Sequence, residues 1–196
     1  MGSQPDHSLG FGVFFNPQDY ISFRWRLAII CIDGLVLAVA VLLVSMVLMA
    51  IQDEAESTIV LAALLLVWGY EALLKPSSLR TVGYRLINCR IVTLQGKRPS
   101  IFRMTFRALL WMLGPMNLIY DLGWCGVDEE KQTLRDRFAS TLVVRQGAEP
   151  IGTGPIHLAR FSAMSYVFFF PQVTRPQPSS APSVAIANTN SQTELT

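Results

Sequence analysis

The chain reads as an all-α membrane protein with a small two-stranded β element on its cytoplasmic side and a disordered C-terminal tail. Three observations carry that expectation. Residues 27–50 form an apolar run of 24 residues interrupted by one carboxylate, and at ~1.5 Å of rise per residue it crosses a ~30 Å hydrocarbon core. Hydrophobic residues make up 51% of the 196 and charged residues only 15%, against about 25% charged in soluble domains. The net charge of +2 hides a strong sorting of basic from acidic residues along the chain.

Residues 1–22 are polar and punctuated by Gly and Pro, and the apolar run that follows is too long for a cleaved signal. Residues 27–50 are therefore expected to act as an uncleaved targeting segment. Asp6 stands where an N-myristoylation motif requires Ser or Thr, so no lipid anchor is expected.

The interrupting carboxylate is Asp33. On insertion scales a carboxylate at a helix centre is disfavoured by roughly 2.5–3.5 kcal/mol, and less near the interface. It therefore calls for a partner or a task. Arg26, two helical turns earlier on the same face, is the partner that spacing suggests.

A second span is expected over residues 58–74. It is short, with Trp68, Tyr70 and Lys75 suited to the membrane interface. Glu71 lies four residues before Lys75, at the spacing of a helical ion pair. The turn between the spans, residues 52–57, is acidic, whereas residues 75–107 carry eight basic residues and no acidic one. By the positive-inside rule the N-terminus and the basic segment lie in the cytoplasm.

Residues 89–94 are β-prone and are followed by a turn at Gln95-Gly96-Lys97; residues 141–145 form a second β-prone run. Each alone would leave backbone groups unpaired, so the two are expected to pair on one side of the membrane. Between them a helix begins near Pro99, basic at Arg103 and Arg107, and enters a third apolar stretch, residues 108–127, broken by Gly114-Pro115. Strand pairing favours a re-entrant hairpin there over a single kinked span. Residues 147–173 read as a loop and a short apolar interfacial segment (Tyr166 to Phe170), and residues 174–196 as a disordered tail.

Cys31, Cys89 and Cys125 are isolated and odd in number, which points to free thiols rather than disulfides or zinc ligands. His7 and His157 have no companion ligands, and neither hydrolase, P-loop, zincin nor dinucleotide motifs occur. No enzyme activity, cofactor, metal or nucleic-acid partner is expected. The expected partners are the lipid bilayer, a second copy of the chain, and another membrane protein. Gly34-x-x-x-Ala38 offers a small-residue face for such helix contact.

Three motifs occur in order: Arg26-Leu27-Ala28 through Ile32-Asp33; Thr81-x-Gly83-x-Arg85-Leu86 through Arg90-Ile91-Val92; and Leu134-x-Asp136 through Ala139-Ser140-Thr141-x-Val143-Val144. Together they resemble the RDD family of small membrane proteins, over roughly residues 20–145. The resemblance makes residues 23–146 the membrane domain and equates the family's arginine and two aspartates with Arg26, Asp33 and Asp136. It implies the bacterial cytoplasmic membrane and transport of ions or small ligands. Three positions depart from the family pattern: Arg80, Asn88 and Ser140 stand where Gly is common.

Two functions follow. In the first, cation/proton exchange, Asp33 is the candidate carrier, and Glu71 and Asp121 are further membrane-embedded carboxylates whose pKa values burial and nearby cations can tune. In the second, a non-catalytic adaptor or assembly protein, Arg26–Asp33 and Asp136 are structural charges. Two spans and a hairpin do not easily enclose a pathway, so transport would require an oligomer.

Overall fold

The structure is a computed structural model that describes residues 8–51, 56–112, 121, 123–126, 128, 130–163 and 166–175. Helix α1 spans Phe23–Ile51. Helix α2 spans Glu56–Trp68 and continues through one π-helical turn, Gly69–Leu74. Both are long and apolar enough to cross a membrane, over Phe23–Ile51 and Glu56–Leu74. Few of their residues are buried within the chain: only Arg26, Ile29 and Asp33 in α1, all in its first eleven residues. Lipid is the natural solvent for the remainder of such an apolar surface.

The expected strand pair is present. Strand β2 (Cys89–Thr93) pairs antiparallel with β3 (Thr141–Arg145), Cys89 opposite Arg145 and Thr93 opposite Thr141. Side chains alternate across a strand, and here both faces are covered. Val92, Leu142 and Val144 pack with Phe15, Tyr20, Ile156 and Val173 on one side. Cys89, Ile91 and Val143 pack with Ile29, Ala72, Tyr84 and Met104 on the other. The pair is the middle layer of the molecule, with helices on one face and a second sheet on the other.

That second sheet corrects the all-α expectation. Residues 147–173, read above as a loop and an interfacial segment, hold two strands, β4 (Gly152–Ala163) and β5 (Tyr166–Val173). With β1 (Phe11–Phe14), from the segment expected to be merely polar, they form a three-stranded sheet in the order β1-β4-β5. The aromatic run in β5 buries Phe170 and leaves Val167, Phe168 and Phe169 exposed, a distinction that its uniform apolarity conceals. Beyond this hairpin, the Thr174 amide donates to Pro155 and Arg175 lies over the rings of Phe14 and Tyr20, so the chain remains docked where a tail was expected. The tail reading for residues 176–196 lies outside the described residues.

The helical side also holds, among the described residues, the short helices α3 (Val82–Leu86) and α5 (Leu134–Phe138), with the longer α4 (Ile101–Met112) between them in sequence; residues 123–126 are helical as well. Helix α4 packs against the π turn, fixed in part by the Trp68 indole N–H donating to Thr105 at 3.0 Å. The choice between re-entrant hairpin and kinked span for residues 108–127 falls on residues 113–120, outside those described.

Candidate functional site: a buried ionic platform beneath two spans

Helix α5 is only five residues long, yet it organises the charged centre. Its N-terminus is closed by a capping box: the Asp136 amide donates to the Thr133 hydroxyl, and the Asp136 carboxylate accepts from the Thr133 amide. Successive helical residues point about 100° apart, so Arg135, Asp136 and Arg137 face three directions. Arg135 reaches Asp121, with Nε 2.9 Å from Oδ2 and its backbone N–H donating to Oδ1. Arg137 pairs with Asp128 and lies 4.7 Å over the Phe170 ring of β5. Asp136 points into the protein.

Asp136 is fully buried and sits between two guanidiniums. Arg26 Nη1 is 2.5 Å from one carboxylate oxygen, and Arg107 Nε is 2.7 Å from the other. The Thr141 hydroxyl adds a third donor at 3.2 Å. Burial alone would raise the Asp136 carboxyl pKa; the Arg107 and Arg26 guanidiniums more than reverse that and hold it well below the usual carboxylate range. Each remaining nitrogen of Arg26 is also engaged: Nε donates to the Ile21 carbonyl and Nη2 to that of Lys131. One side chain at the head of α1 thus holds the segment that leads into α1, the loop before α5 and α5 itself.

The Arg26–Asp33 pair expected from spacing is not formed. Seven residues separate the two along the axis by ~10 Å, and helical side chains lean toward the N-terminus, carrying Arg26 away from Asp33. Asp33 is instead held by the segment after the second span. Its Oδ1 accepts from the Tyr70 hydroxyl at 2.8 Å and the Gly83 amide at 2.7 Å, and its Oδ2 from the Thr81 hydroxyl at 2.8 Å. Lys75 Nζ lies 4.0 Å away. The Thr81-x-Gly83 spacing supplies a hydroxyl and an amide to one carboxylate. A Cβ at Gly83 would meet Asp33 Oδ1 at 2.8 Å, so the position has no room for a side chain.

Glu71 forms the expected i,i+4 pair, both oxygens accepting from Lys75 Nζ at 2.6 and 2.7 Å. Asp121 is buried against Arg135. Among the described residues the ion pairs join six cations (Arg26, Lys75, Arg107, Arg135, Arg137, Arg175) to six carboxylates (Asp33, Glu71, Asp121, Asp128, Glu130, Asp136). The network is neutral as a whole. Sequence reasoning missed Tyr70 and Thr81 as donors to Asp33, and Arg107 and Arg135 as partners of carboxylates. Of these, Arg107 was visible only as one of the cations that set topology.

The three departures from the family pattern share one backbone feature. Arg80, Asn88 and Ser140 have φ of 55°, 54° and 53°, the left-handed region that a side chain disfavours by roughly 1–2 kcal/mol. Asn tolerates it best. Each position therefore holds a conformation that glycine would adopt at no steric cost.

Two long apolar helices above a buried ionic platform define a small membrane protein built around an internal charge network. Residues 20–140 match the model of the RDD family, and the chain belongs to that family. Comparisons with curated proteins and with solved structures return no match.

Proposed function

We propose that this RDD protein is a non-catalytic membrane assembly protein. The two spans anchor it with the N-terminus and basic segment in the cytoplasm, and the platform engages a second copy or another membrane protein. The observation that carries this reading is the state of the signature carboxylates. Asp33 has its oxygens occupied by three fixed donors, and Asp136 is sealed between two guanidiniums. A carboxylate so enclosed holds segments together; releasing it to carry an ion would leave buried donors unpaired. The neutrality of the network points the same way, since each buried charge has a compensating partner.

The second reading, cation/proton exchange, draws support from one place. Glu71, in the π turn, lines a cavity of about 240 Å³ with Leu64, Val67, Trp68, Thr105 and Leu109, and π turns often mark functional sites. Liposomes loaded with a pH-sensitive dye and holding a pH gradient discriminate the two when Na⁺, K⁺ or Li⁺ is added. The assembly reading expects no cation-dependent collapse, and expects Asp33→Asn to lower the melting temperature. Collapse that Asp33→Asn abolishes while remaining folded would establish transport instead.

A further inference from the structure

We propose that the chain carries a binding site for a phosphate group at the cytoplasmic end of the second span, built by Arg80, Arg90 and Arg98. The three arginines line one cavity of about 300 Å³, together with Ser77, Ser78 and Gln146. No carboxylate lines it, and among the described residues none of the three guanidiniums forms an ion pair. This contrasts with the platform a few residues away, where each arginine has its acid.

Two of the guanidiniums are held in place by the protein rather than left to solvent. Arg90 Nη2 donates to the Ala148 carbonyl at 2.7 Å, and its Nε is buried without a hydrogen-bond partner. Arg80 Nη1 donates to the Cys89 carbonyl and to Gln146. Its backbone has φ of 55°, as at Asn88 and Ser140. Arg98 is exposed at the rim.

A tetrahedral oxyanion suits such a pocket. Guanidinium forks bind phosphate oxygens in pairs, and several converging on one cavity exceed what a carboxylate of this chain could satisfy. Pro76, Ser77 and Ser78 follow directly on Leu74 and Lys75, where the second span ends. The cavity therefore opens at the depth of lipid headgroups, whose phosphate is the nearest source of this chemistry. Free phosphate in solution is the other source. The site does not depend on whether the platform charges are structural or mobile.

The test uses the full chain in neutral detergent micelles. Inorganic phosphate, phosphatidylglycerol and phosphatidylcholine are titrated separately, with bound lipid read by native mass spectrometry and melting temperature by tryptophan fluorescence. Phosphatidylglycerol retained about tenfold better than phosphatidylcholine assigns the site to anionic headgroups, and a melting shift with phosphate alone assigns it to the free ion. In either case Arg98→Gln and Arg80→Gly should each weaken binding about tenfold, the worth of one charge-assisted hydrogen bond. Lys97→Gln, exposed but outside the cavity, should leave it unchanged. Arg98 is exposed, so its variant folds whatever its effect on binding. Absence of binding by the wild type, variants that bind as the wild type does, or an equal loss on Lys97→Gln would each overturn the proposal.

Discussion

Ser140 shows how a single backbone angle can be isolated experimentally. Its φ of 53° is held because its carbonyl accepts from the Leu94 amide and from Arg103, and its own amide donates to Arg137. Replacing it with glycine removes the left-handed penalty of roughly 1–2 kcal/mol and adds up to about 1 kcal/mol of unfolded-state entropy. Ser140→Gly should therefore stabilise the protein by about 0.5–1 kcal/mol, given those two terms. Denaturant unfolding in micelles would read this directly, and an equal or lower stability would show that the backbone is not strained there. At this scale the sequence was partly legible. Arg80, Asn88 and Ser140 could be recognised as departures from a glycine pattern, but whether the left-handed conformation survived them depended on contacts far away in the chain. The thiols were legible too: Cys89 and Cys125 are free and buried, and burial pushes the Cys89 thiol up to about 12.

At the scale of elements, the joint between α1 and α3 is set by how closely Gly83 approaches Asp33. The Gly83 amide donates to the carboxylate, and a Cβ would lie 3.0 Å from the Ile29 carbonyl as well as 2.8 Å from Asp33 Oδ1. Gly83→Ala should push α3 off α1, lowering stability by about 1–3 kcal/mol, the cost of overpacking a filled site. Thermal unfolding in micelles checks this, and an unchanged melting temperature would show that α3 can move freely. Helices α1 and α2 were readable because apolar length is a strong signal, and β2 and β3 because β-branched runs bounded by turns leave few alternatives. Strand β1 and the β4–β5 hairpin were not readable. Ile156 and Val173 are buried only because they pack on the β2–β3 layer, and the Tyr166 to Phe170 run is apolar throughout, so neither face of the sheet stands out in the sequence.

At the scale of the whole molecule, the charges join parts that sequence separation keeps apart. Asp136 lies 110 residues from Arg26 and 29 from Arg107, and no local spacing rule could have paired them. The sequence motifs singled out Arg26, Asp33 and Asp136, and spacing paired Glu71 with Lys75; the roles of Arg107 and Arg135 and the long-range partners were not legible. The i,i+7 reasoning that joined Arg26 to Asp33 used the one geometry available in a single helix. Arg26, Arg107 and Asp136 instead close the head of α1, α4 and α5 around one buried carboxylate, and the two cores meet at the β2–β3 layer.

The central claim is that Asp136 and its two arginines form one structural unit. A double-mutant cycle on Arg107→Gln and Asp136→Asn, read by denaturant unfolding in micelles between pH 3 and about 7, tests it most directly. Each single substitution should cost about 3 kcal/mol or more by leaving a buried charge uncompensated, and the double should cost clearly less than their sum. The acid limb follows from the depressed pKa of Asp136. Its contribution is complete above the unfolded carboxyl value of about 4 and is lost as pH falls below it toward the folded value. The wild type should therefore lose stability on acidification more steeply than Asp136→Asn. Additive effects of less than about 1 kcal/mol each, as exposed ion pairs give, and identical acid limbs would contradict the account.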